Sequence, residues 1–182
     1  MASEAAEFVL SMGDLREVTA FAEVCAREVL GIFEDERPED SRPRRAIDTA
    51  REFAGGGKRG KALRDAAWAA LKAAKEAQPA AAEAARAAMA AAGAAYLHPL
   101  PNASQVKHIL GSAAHAARAA ELAADADRAA GTDRAVGDER VAEAVRHATP
   151  ALVDVLKRYP AAPAGGGRVG ELTRLLDAAL RS

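Results

Sequence analysis

A single cysteine, Cys25, excludes an internal disulfide and fits a reducing compartment, where thiols stay free. Aromatic residues make up only 4% of the chain, so large rings cannot build most of the core. No apolar run approaches 18 residues free of charge or glycine, and no membrane-spanning helix is expected. Phe8-Val9-Leu10 is too short for a signal sequence and has no basic segment ahead of it. The expected location is therefore the cytoplasm. A formal net charge of −1 removes any global attraction to nucleic acid. No segment alternates apolar and polar residues as a half-buried strand does.

What is present is dominated by alanine. Among the residues counted as hydrophobic, 51 are Ala and all other types together supply 40. Ala is the best helix former and buries little area, which predicts closely packed helices with small interfaces. Punctuation divides the chain accordingly. Residues 1–13 read as a flexible leader ending at Gly13, after which Asp14 is placed to cap a first helix. Leu15, Val18, Ala22, Cys25, Val29 and Ile32 follow at steps of three and four, one inward stripe ending near Phe33. Asp40-Ser41-Arg42-Pro43 marks a second start, a cap followed by proline in the first turn. Ala46, Ile47, Ala50 and Phe53 give that helix its inner face, and Gly55-Gly56-Gly57 ends it.

A third helix is expected over about 61–77, with Leu63, Ala67, Ala70, Leu71 and Ala74 inward and Trp68 beside them. Gln78-Pro79 breaks it, and an almost all-alanine fourth helix spans about 80–97. Asn102 or Ser104 caps a fifth, which carries Val106, Ile109, Leu110, Ala113, Ala117 and Leu122. Gly131 to Gly137 reads as a linker, Asp138 as the cap of a sixth helix, and Thr149-Pro150 as a kink or a new start. Residues 160–167 read as a hinge to a short last helix over about 169–181. The expectation is an all-α, compact, Ala-rich bundle of about six or seven helices built from helical hairpins. Its organisation reads as a leader at 1–13, a single helical domain at 14–159, and at 160–182 a hinge plus C-terminal helix packed on the same domain.

Charge is the sharpest local feature. Residues 14–40 hold nine acids and three bases, and residues 42–64 hold eight bases and two acids. The sign reverses between Glu34 and Arg45. Either two neighbouring helices neutralise each other there, each exposed pair contributing about 0–1 kcal/mol, or the corner grips a charged partner. On charge density the candidate partner-binding residues are Glu34, Asp35, Glu36, Glu39, Asp40, Arg42, Arg44, Arg45 and Arg51.

No catalytic constellation accompanies this corner. Gly55-Gly56-Gly57-Lys58-Arg59-Gly60-Lys61-Ala62 nearly spells a phosphate-binding loop, but a helix precedes it and Ala62 replaces the Ser or Thr that would hold Mg²⁺. His108 and His115 share a helix face seven residues apart, about 10.5 Å at 1.5 Å per residue. Helical metal pairs sit three or four apart, so neither a metal nor a cofactor is expected; His98 and His147 lie elsewhere in the chain. Cys25 lies on an apolar stripe where burial makes a thiol inert. The chain is not read as an enzyme.

Two stretches carry a resemblance. LREVTAFAEVCAREVLGIFEDERPEDSRPRRAIDTAREF, from Leu15 to Phe53, joins a Cys-bearing helix, an acidic turn and a D-x-R-P-R-x-A-I-x-x-A-R run. YLHPLPNASQVKHILGSAAHAARAAEL, from Tyr96 to Leu122, forms a later helix. Both resemble the Imm-5-like immunity proteins of bacterial toxin–immunity systems. That resemblance implies a small helical antidote which binds a cognate protein toxin and blocks it without catalysis; the sequence leaves monomer and homodimer equally open. A second reading, a helical protein accessory to nucleic acid or to a nuclease, draws on the basic segment 42–64. It has only Phe53 as an interleaved aromatic and no nucleic-acid motif.

Overall fold

In the computed structural model, which describes residues 8–127 and 133–182, helix α1 runs from Met12 to Glu36. Ser11 caps it rather than Asp14. The Ser11 hydroxyl accepts from the Asp14 N–H at 3.0 Å, and the Asp14 carboxylate accepts from the Ser11 N–H at 2.8 Å, a reciprocal box that satisfies two free donors. Residues 1–7 of the expected leader lie outside the described residues. α2 (Arg42–Ala54) has Pro43 in its first turn. Asp40 accepts from the Arg42 N–H at 3.1 Å, so the capping carboxylate stands one residue ahead of Ser41, whose side chain makes no cap bond. α3 (Lys61–Lys75) and α4 (Pro79–Gly93) end slightly earlier than expected. A short 3₁₀ turn, Ala94–Tyr96, follows α4. Asn102 caps a second such turn leading into α5 (Val106–Asp127) by accepting from the Ser104 N–H at 2.8 Å.

The expected linker at 131–137 is corrected. Residues 131 and 132 lie outside the described residues, but 133–137 are helical, because α6 spans Asp133–His147. Asp138 is thus inside that helix and caps nothing. Thr149-Pro150 opens a separate helix, α7 (Pro150–Lys157), with the Thr149 hydroxyl accepting from the Leu152 N–H at 3.1 Å. α8 (Gly167–Arg181) opens on the last of three glycines with φ of 89°, 77° and 60°, at Gly165, Gly166 and Gly167. Those values favour glycine, which has no Cβ to clash. The described residues hold eight α-helices and no strand, an all-α bundle slightly richer in helices than the six or seven expected.

α4 is the axis of packing and contacts α1, α2, α3 and α5. Its buried residues are all alanines, from Ala81 to Ala92. A helix apolar on nearly every face belongs inside a bundle. Methyl-sized side chains let backbones approach closely, and Ser112 of α5 exploits this. Its hydroxyl lies 2.6 Å from the Ala22 carbonyl of α1 and 3.0 Å from the Ala87 carbonyl of α4. α8 packs against α5, α6 and α7.

Candidate protein-binding surface

The charged corner is a junction of four helix ends. Arg44 clasps Glu34 with two bonds, 2.6 and 2.7 Å long, joining α2 to α1. Glu36 accepts from the Gln78 N–H at 3.1 Å and so satisfies a donor at the start of α4. Arg42 bonds Asp40 at 2.6 Å and also Glu76, at the end of α3, at 2.6 Å. The Arg42 hydrogen bond holds the Asp40 carboxyl below its usual range, and the same pairing drives the guanidinium further up. Arg37 closes the junction by donating to the Glu76 carbonyl. Of the nine corner candidates, Glu34, Glu36, Asp40, Arg42 and Arg44 are thus engaged within the fold. Asp35, Glu39, Arg45 and Arg51 are exposed and form no ion pair among the described residues.

The glycine-rich run after α2 uses its donors internally. The N–H groups of Gly55, Gly56 and Gly57 bond the carbonyls of Arg51, Phe53 and Glu52, at 2.9, 3.1 and 2.9 Å. The Gly56 and Gly57 carbonyls face the Arg16 guanidinium at 3.2 and 3.4 Å. A phosphate cradle needs free N–H groups, and these are taken. Cys25 is buried, and desolvation, reinforced by the charges of Glu28 and Glu23, pushes its thiol far up. Among the described residues no three His, Cys, Asp or Glu side chains converge as metal ligands would. His115 pairs instead with Glu83 at 2.6 Å and His147 with Glu28 at 2.7 Å.

A second surface was missed at the level of sequence. Trp68 does not lie along the buried face of α3 but is 63% exposed. It borders a hollow of about 170 Å³ with Arg64, Ala67, Leu71, Met89 and Tyr96. Ala67 and Met89 are shared with a second hollow of about 370 Å³. Through Lys107, Val169 and Thr173 that one adjoins a third, of about 320 Å³, beside α8. No acidic side chain lines any of the three. The Tyr96 hydroxyl donates to the Gly60 carbonyl at 2.8 Å, which holds the ring in place. The guanidinium groups of Arg59 and Arg64 lie 5.8 and 5.6 Å from its centre, within cation–π range.

Two groups near this surface make stability pH-dependent. Burial, then the charges of Lys107 and His98, drive His108 below its ordinary value of 6.5. At Glu83 burial pulls the carboxyl up, but the His115 hydrogen bond and the charges of His115 and Arg86 outweigh this and hold it below 4.5. In both cases the unfolded chain takes up protons that the folded chain resists, so stability rises with pH. The His108 contribution should be fully present above 6.5 and lost as pH falls below it; the Glu83 contribution should be lost only below 4.5. Urea-denaturation midpoints followed from about pH 8 to about pH 4 check this. His108→Gln should remove the upper step and leave the lower one.

Among the described residues no helix is long and apolar enough to cross a membrane. No curated protein and no solved structure matches the chain. A family model described as "Imm-5 like putative immunity protein" matches residues 9–147. That span takes in the charged junction, the alanine axis and Trp68, and reaches the end of α6. With a match over well more than half of its length, the chain belongs to the Imm-5 like immunity protein family.

Proposed function

We propose that the protein is a non-enzymatic immunity protein, which binds a cognate bacterial toxin one to one in the cytoplasm of the producing cell and blocks it. Family membership over residues 9–147 is the observation that carries this reading. The disposition of reactive groups supports it: the one thiol is buried and protonated, and His115 and His147 each pair with a carboxylate. The side chains left facing solvent suit protein contact. Trp, Tyr and Arg dominate binding energy at interfaces, and outlying charges accelerate association more than they tighten it. The exposed corner charges Asp35, Glu39, Arg45 and Arg51 fit the second role. The paired corner residues fit a positioning role, setting the helix ends from which those charges project.

Co-expression with the toxin encoded beside this chain tests the proposal. Growth should be restored, and the two purified chains should elute together from gel filtration at equal stoichiometry. Absence of both rescue and complex overturns it.

A further inference from the structure

Solitary exposed apolar side chains are ordinary on soluble proteins. Trp68 is not solitary, because it lines the first of three adjoining, largely apolar hollows, together a channel whose charged lining groups share one sign. The hollow beside it, about 170 Å³, equals roughly six water molecules at about 30 Å³ each, which is room for one inserted side chain. Its floor is Ala67, Leu71 and Met89. Above it Arg59 and Arg64 lie over Tyr96. A guanidinium drawn to a ring face by cation–π attraction keeps N–H donors free to receive a carboxylate. Arg59 gives one donor to the Ala95 carbonyl at 3.3 Å; Arg64 makes no hydrogen bond among the described residues. Lys107 adds a third cation further along the channel. The nearby acids are occupied, Asp65 by Lys61 at 2.7 Å and Glu83 by His115 and Arg86 at 2.6 and 2.7 Å. The channel is therefore apolar within and positive at its rim, in a chain of net charge −1.

We infer that this channel is the docking site for the toxin, and that it receives an acidic segment whose apolar anchor side chain enters beside Trp68 while its carboxylates meet Arg64, Arg59 and Lys107. The inference rests on the immunity reading and adds to it where the partner binds and what chemistry it presents. A basic partner would meet like charge at the rim, which is costly. Burying the indole and ring faces supplies affinity, the cations supply orientation, and Arg45 and Arg51 add attraction of the same sign from α2.

Isothermal titration of the full chain against an inactive form of the toxin domain encoded beside it tests this, with gel filtration of the chain alone in parallel. Trp68→Ala should weaken binding by about 30-fold or more, as loss of a central anchor does. R64E/K107E should weaken it by about tenfold or more and flatten its salt dependence. R45E/R51E, at the outlying corner, should weaken it by less than about fivefold. All five side chains are exposed, so helical content and melting should be unchanged. If a complex forms but is indifferent to Trp68→Ala, or is tightened by R64E/K107E, the docking site is wrong while the immunity reading stands. If the chain alone dimerises and Trp68→Ala abolishes the dimer, a second copy fills the channel and the inference is overturned. If the wild-type chain forms no complex, the immunity reading fails and this one with it.

Discussion

Phe33→Ala should destabilise the protein by about 4–5 kcal/mol, the upper end for deletion of a buried phenylalanine. Phe33 has no exposed surface, and its replacement leaves a ring-sized void. How much a void costs depends on whether neighbours relax into it. Here they have little means to do so. Of the 45 buried apolar residues described, 24 are Ala, and a methyl group has no rotamer with which to fill space. Nor can the helices slide inward. Phe33 stands next to Glu34 at the charged junction, where the Glu34–Arg44, Glu36–Gln78 and Arg42–Glu76 bonds tie the ends of four helices to one another, so that moving one helix into the void strains them. Total stability for a domain is about 5–15 kcal/mol, so this single change removes a large share of it. Urea denaturation is the check. A loss below about 2 kcal/mol would show that the helices close the void after all. Phe33→Leu, which keeps most of the volume, should cost much less.

Helix existence was legible because the signals are local. The stripe from Leu15 to Phe33, the proline after a cap at Asp40 to Pro43, and the Gln78-Pro79 break each depend on residues within a turn or two of one another. Where reading failed, a distant group had decided. Gly137 reads as a linker residue, since glycine lowers helix propensity. It stands inside α6 because a Cβ at that position would overlap the Glu121 carboxylate of α5. No periodicity within α6 carries that information.

The corner and the channel fail and succeed for a related reason. Charge reversal at Glu34 to Arg45 was plain, but density alone cannot distinguish a charge that faces a partner from one that faces the next helix. The structure places five of the nine candidates in bonds across the junction, so most of the feature is internal. Trp68 was mistaken for an edge of the core. The expected inward set Leu63, Ala67, Ala70, Leu71 and Ala74 is broader than the face that is buried, Leu63, Ala70, Ala73 and Ala74; Ala67 and Leu71 are half-buried, and Trp68 lies five residues, about 140° around the helix, from Leu63. An alanine axis offers no broad face to cover an indole set that far round. The rim cations, by contrast, come from the loop before α3, from α3 itself and from α5, and only the fold brings them together.

Arg168→Ala should cost about 3 kcal/mol and loosen α8 from the rest of the bundle. Glu121 is fully buried on α5. Arg168 of α8 reaches it with bonds of 2.5, 3.0 and 3.2 Å, while Arg118 supplies one at 2.9 Å. Removing one member of a buried pair costs about 3–5 kcal/mol, chiefly because the other charge is stranded. The lower figure applies because Arg118 remains, and because Arg168 is 12% exposed at its side chain. Glu121 lies within the family-matched span and Arg168 outside it, so this clasp, together with the Arg134–Glu171 pair and the buried Leu172 and Leu176, fastens the last helix to the recognised part of the chain. Gly137→Ala attacks the same carboxylate from α6. Since both changes disturb one buried group, their costs should fall well short of adding in the double variant. Additive losses would mean that Glu121 is held independently from the two sides. Hydrogen exchange locates the effect: in Arg168→Ala the amides of α8 should open far more readily than those of α4, whose protection follows global unfolding. Equal loss of protection in both helices would make α8 part of one cooperative unit, with the clasp as one core contact among many.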